Sequence, residues 1–182
     1  IWAQYLHYLR DIALFDFGDS IWQQRPAMDI VLERLPSTLT LCAGALGLAI
    51  VAGVPLGIVA ALRPGQWADR ISVVLSLGGL SLPQFWLGLL LILLFAVTLN
   101  WLPSSGSEAP GSGVLPMLTL ALPALGRTAM MLRSALIDEL NSLYVRTARA
   151  KGLRSGRIVL VHALRNAAVP TVALLGWEFA GV

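Results

Sequence analysis

The sequence predicts an all-α, polytopic bundle of transmembrane helices. Its 182 residues are 57% hydrophobic and only 13% charged, against about 45–50% apolar and about 25% charged in soluble domains, and its mean hydropathy is +0.75. A run of 28 residues without a formal charge, Leu35 to Leu62, exceeds the roughly 20 residues that cross a bilayer. Basic residues gather in one connection, where Arg127 to Arg165 holds eight of the 13 Lys and Arg.

Leu35–Leu62 is the first span. A second uncharged stretch, 71–100, would make a helix of roughly 45 Å at 1.5 Å per residue, too long for one straight crossing. Pro83 offers a break, because it has no N–H to donate and clashes with the preceding turn; Ser72 to Leu82 then leads in along the interface and Phe85 to Leu99 crosses. A third span covers 114–132, interrupted by Pro116 and Pro123, and a fourth begins near Ala167 and reaches 182 as a truncated crossing. The chain starts at Ile1 and stops at Val182 within an apolar run, and reads as a fragment.

Loop charge sets the orientation. The basic segment is cytoplasmic by the positive-inside rule. The 63–70 connection has Arg63 and Arg70, the 101–113 connection has only Glu108, and residues 1–34 carry three arginines against five acids. Alternation therefore places 1–34 outside as an extracellular segment between a missing first span and the next. The net charge of +3 is thus a membrane-topology signal, and no nucleic-acid partner is expected. Cys42 as the single cysteine excludes an internal disulfide framework, and His7 and His162 are too few to build a metal centre. Lys151, the one lysine, is followed by Gly152 and Leu153, so these residues hold no Walker A motif. No catalytic residue, metal site or bound cofactor is predicted.

Gly53 and Gly57 form a Gly-x-x-x-Gly face for close helix packing, and Pro55 between them is either a fixed bend or a hinge. Trp67 and Trp101 suit the two interfaces. Glu178 falls about 16 Å past Ala167, at membrane depth, where a carboxylate faces a substrate pathway or pairs with a polar partner. The three complete spans are expected to be free of charge.

Residues 137–170 form the cytoplasmic loop with the most information. Asp138 and Glu139 suit a helix start, Arg149 and Lys151 a last turn, and Gly152 a left-handed stop, so Asp138–Lys151 reads as one helix. Ser155 caps a second helix, and Pro170 restarts the chain into the membrane. The elbow presents Tyr144, Val145 and Ala148 with Arg146, Arg149, Lys151 and Arg154. Anionic lipid could meet such charge, but the helix-stop-helix design favours docking of a protein.

This loop, Arg146-Thr147-Ala148-Arg149-Ala150-Lys151-Gly152 with Pro170 opening the next span, resembles the EAA loop of bacterial ABC importer permeases. Arg146 and Thr147 stand where the general form has Glu and Ala, and the interval from Gly152 to Pro170 is longer. Tyr144-Val145-Arg146 ahead of it and His162-Ala163-Leu164-Arg165-Asn166 after it look like the dipeptide, oligopeptide and nickel subfamily. Phe17-Gly18-Asp19-Ser20, Leu35-Pro36-Ser37-Thr38-Leu39, Pro55-Leu56-Gly57 and Leu82-Pro83-Gln84-Phe85-Trp86-Leu87-Gly88 fall in family order, and Gly-Asp-Ser suggests the B-type subunit. The charged Glu178 departs from the family's uncharged polar residue.

The resemblance implies a type I importer permease fold, incomplete at both ends, in the bacterial inner membrane. It implies a homologous second permease, two cytoplasmic ABC ATPases that hold the ATP and Mg, and an extracellular substrate-binding protein. The coupling element would be Tyr144 to Gly152, including Ala150, with Ala148 and Gly152 small enough for close seating and Arg146, Arg149 and Lys151 complementary to an acidic groove. Di- or oligopeptides are the expected cargo, with nickel or another small solute as the alternative. An ion-coupled transporter or channel is the competing class, and it would carry charged coordination sites within its spans.

Overall fold

The computed structural model describes residues 2–14, 16–104 and 111–181; Glu108 of the outer connection and the final residue of the fourth span lie outside them. It divides into two compact units, residues 1–40 and 41–182. Ten helical segments and no strand occur among the described residues.

In the first unit, α1 (Trp2–Ala13) precedes a turn in which Gly18 takes φ +69° and its N–H donates to Asp16 Oδ1 at 3.0 Å. An isolated bridge joins Asp19 to Pro26, and Arg25 pairs with Glu33 at 2.5 Å. Helix α2 spans Ala27–Leu62 and so starts earlier than residue 35. The absence of charge marks only the hydrocarbon part of a helix, whereas its hydrogen bonding continues among the charges of Asp29, Glu33 and Arg34.

In the second unit, α2 buries a stripe of small residues: Cys42, Ala45, Ala49, Gly53, Gly57, Ala60 and Ala61. The next crossing is broken as α3 (Trp67–Ser81) and α4 (Gln84–Leu91), with Pro83 at the N-cap of α4 and a bend of 112° between the two arms. A π-helical segment, Ile92–Thr98, prolongs α4. Helix α5 runs over Val114–Leu140, beyond the predicted end at 132, so Ile137–Leu140 is helix and not loop.

Two further boundaries differ from the sequence reading. Asp138–Lys151 is not one helix: α5 ends at Leu140 and α6 occupies Leu143–Ala150. Asn141 and Ser142 divide them, and Ser142 Oγ donates to the Glu139 carbonyl at 2.6 Å, a local bond that competes with helix continuation. Ser155 is not a cap but the first residue of α7 (Ser155–Arg157), whose N-cap is Arg154. From there helix continues through a π-helical segment, Ile158–Ala163, into α8 (Leu164–Gly181), which passes through Pro170. Pro170 therefore does not restart the chain. Packed residues on both sides of it, Ala167 and Thr171, are buried and hold the helix in place where the proline removes one backbone bond.

Close approach explains how these helices assemble. A β-carbon on Gly57 would lie 2.7 Å from the Ala129 carbonyl oxygen, one on Gly53 3.1 Å from that of Leu125, one on Gly79 2.7 Å from Pro123 Cα, and one on Gly126 2.5 Å from the Leu75 and Ser76 backbone. Lipid tails are as apolar as leucine, so association in the membrane relies on van der Waals packing that small residues permit. Helix α5 accordingly has α2 along one side and α3 along another. At one end Ala61, Leu132, Leu136, Val159, Ala163 and Ala167 form a continuous apolar core. This core joins the end of α2 to α5, the second π segment and α8.

Gly126→Ala is expected to destabilise the fold by about 1–3 kcal/mol through overpacking, whereas Gly47→Ala, with nothing within 4 Å of the added carbon, should leave it unchanged. Thermal unfolding of the two variants in detergent checks this; equal melting temperatures would contradict the packing account.

Candidate functional site: the basic elbow

The elbow is built at the end of α5. Val145 of α6 is fully buried, which corrects the expectation that it is offered to the cytoplasm; it anchors α6 instead. Around it Tyr144, Arg146, Thr147, Arg149, Ala150, Lys151 and Gly152 are exposed and Ala148 is half-buried.

Helix α6 ends in a Schellman motif. Gly152 takes φ +76°, its N–H bonds the Arg149 carbonyl at 2.9 Å, and the Leu153 N–H bonds that of Ala148 at 3.2 Å. Two carbonyls that the helix end leaves open are thereby satisfied, and the chain turns sharply into α7. Glycine takes this conformation without the strain a side chain would add.

Asp138 and Glu139 close α5 rather than open a helix, so the macrodipole disfavours them there. Glu139 gains other partners: the Tyr144 hydroxyl donates to its carboxylate, and Asn166 Nδ2 donates to Tyr144 Oη at 3.2 Å and to Glu139 Oε2 at 3.4 Å. One polar network thus ties α5, α6 and α8. Burial first, and Glu139 second, push the Tyr144 phenol above its ordinary value of 10.0. A phenol raised in this way contributes its hydrogen bond fully below the unfolded value and loses it as pH rises through the folded one, so the network is intact throughout the neutral range.

The outer surface is basic and open. Arg146, Arg149, Lys151 and Arg154 are exposed, and no ion pair involves them among the described residues. Tyr144, Thr147, Ala148, Lys151, Leu153 and His162 line a shallow cleft of about 360 Å³. Among the described residues no group of three or more His, Cys, Asp or Glu could hold a metal ion.

Charge also lies inside the bundle, and at Arg127 it falls within a span expected to be uncharged. Arg133 on α5 forms an ion pair with Asp69. Its Nη2 donates to Asp69 Oδ2 at 3.0 Å, and the Gly65 N–H donates to the same oxygen at 2.7 Å. The Nε···Oδ1 approach is an ion-pair contact without hydrogen-bond alignment. Asp69 lies within the 63–70 connection, in the first turn of α3, so this pair joins α5 to the bundle at the level of that connection. Arg127, counted with the loop by its charge, stands midway along α5 and pairs with Glu178 of α8. Their spacing of 51 residues hid that partnership from any local pattern.

The chain thus combines helices long and apolar enough to cross a membrane with a basic two-helix elbow at the end of α5. Residues 53–182 match the family described as binding-protein-dependent transport system inner membrane component, and the chain belongs to that family. It is 38% identical over 179 residues to the glutathione transport system permease protein GsiC of Escherichia coli (strain K12), covering 98% of this chain and 58% of that protein. The GsiC proteins of Salmonella choleraesuis (strain SC-B67), at 38% over 177 residues, and Shigella flexneri serotype 5b (strain 8401), at 37% over 179, are similarly related. The chain spans 58% of the length of these relatives.

Tyr144→Phe removes the donor to Glu139. Amide hydrogen exchange over residues 143–150 should become about tenfold faster, equivalent to about 1.4 kcal/mol for a hydrogen bond to a charged acceptor. Parent-like exchange would show that the network does not hold α6.

Proposed function

We propose that this chain is the permease subunit of an ATP-driven, binding-protein-dependent importer of peptide-type solutes, working by alternating access. The observation that carries the reading is α6: a short helix anchored by Val145, stopped by Gly152, and presenting small and basic residues beyond the membrane. In this reading Ala148, Ala150 and Thr147 seat against a cytoplasmic ATPase. Arg146, Arg149 and Lys151 complement acidic groups there and guide docking.

Nucleotide-driven closure of two ATPases then moves α6, and the elbow passes that motion to α5 and α8 as a rigid-body rotation. ATP and Mg belong to the ATPases; a second permease completes the pathway, and an external binding protein delivers cargo. The GsiC relatives, named for glutathione transport, support a peptide-type cargo. In this reading Pro83, at the 112° break between α3 and α4, is a bend at which a span reorients, whereas α2 runs unbroken through Pro55.

The full-length permease, tagged and purified from its native membrane in mild detergent, should carry a second permease and two Walker A ATPases. In vesicles the complex should accumulate glutathione or short peptides only with ATP and the binding protein. Ala148→Trp should leave assembly intact and reduce uptake about tenfold or more by misplacing the docking helix. Uptake that follows an ion gradient without ATP, or parent-like uptake by Ala148→Trp, contradicts the reading.

A further inference from the structure

We propose that Arg127 and Glu178 form a charge lock within the membrane that makes α5 and α8 move as one body when the elbow is displaced; the proposal rests on the importer reading above. Arg127 lies six residues outward of Arg133 along α5, about 9 Å into the apolar layer from the level set by the Asp69 pair. There its Nε and its Nη2, the latter at 2.5 Å, each donate to one oxygen of Glu178. The Glu178 side chain is 8% exposed and that of Arg127 25%.

Ala167, Thr171 and Glu178 are all buried, and their spacing puts them on one helical face. The helical stretch Ile158–Ala163 with α8 meets α5 at three levels. Asn166 and Glu139 join at the elbow, the apolar core follows with Leu132, Leu136, Ala163 and Ala167, and the ion pair lies deepest.

The three levels resist motion differently. The apolar core holds the helices together through many non-directional contacts. A two-pronged guanidinium–carboxylate pair has a fixed direction, and slipping it would strand two charges in hydrocarbon. The pair also occupies both Glu178 oxygens, so the carboxylate acts on its neighbouring helix and not on cargo. Arg127 and Glu178 are therefore positioning residues, and Glu178 takes the second of the two roles expected for it, pairing with a polar partner rather than facing the pathway.

The test uses the full-length permease in its assembled transporter, with Arg127→Gln, Glu178→Gln and the exchanged pair Arg127→Glu/Glu178→Arg. In proteoliposomes each single variant should assemble and hydrolyse ATP, but consume about tenfold more ATP per molecule delivered, a shift in coupling of the size that residues between sites produce. The exchanged pair should recover most of that loss. A change confined to assembly, with an unchanged ratio of ATP to cargo, overturns the proposal, as does an exchanged pair no better than the worse single variant. Melting of the permease alone in detergent needs no transport: the exchanged pair should regain the stability lost by either single change, and additive losses overturn the lock. A parent that transports without ATP would defeat the importer reading and leave the melting test standing.

Discussion

The close approach of α5 to its neighbours is the constraint on which the rest of the structure depends. Gly53 and Gly57 of α2 lie against the backbone of α5, and Gly79 and Gly126 bring α3 and α5 into mutual contact. No hydrophobic gain separates a helix–helix contact from a helix–lipid contact in the bilayer, so packing must be tight to be favourable. Helix α5 is thereby held on two sides. What extends from its C-terminal end inherits a fixed direction, and that is where the elbow sits.

Rigidity continues through the elbow by different means. The break at Asn141–Ser142 is short, Val145 is buried, the Schellman turn fixes Gly152, and Glu139, Tyr144 and Asn166 connect three helices. A docking element on a flexible tether could bind a partner yet transmit little force. Here α6 is tied to the ends of both α5 and α8 through Glu139, Tyr144 and Asn166. Family membership agrees with such a role, because binding-protein-dependent transport demands that an event at one face of the membrane be felt at the other. The unpaired arginines of α6 sit at the outer surface of this rigid unit, where a partner can reach them.

Much of this was legible in residues that interrupt a pattern. The uncharged run from Leu35 to Leu62 lies within α2, Pro83 stands at the N-cap of α4 where the second crossing breaks, and Gly152 adopts the left-handed turn that stops α6. What escaped the sequence depends on partners distant in the chain. Arg127 looks like a loop residue because basic residues near a span end usually are, and only Glu178, 51 positions later, explains its place inside the bundle. Val145 looks like exposed apolar surface until the core beneath it is known. Pro170 looks like a helix boundary, because the buried Ala167 and Thr171 that hold the helix through it are a matter of packing. Asn141 and Ser142 are weaker signals than Gly or Pro, and their effect came from a side-chain bond back to Glu139.

The most direct test of the account places a photoreactive amino acid at position 148 or at position 145 of the full-length chain in its native membrane. Half-buried Ala148 borders the cleft on the outer face of α6, so illumination should join the chain to a cytoplasmic protein that carries a Walker A sequence, identified by mass spectrometry. Val145 faces the chain's own core and should yield only internal products. Adducts with lipid alone at position 148, or the same partner with equal yield at both positions, would contradict the claim that α6 docks an ATPase by its outer face.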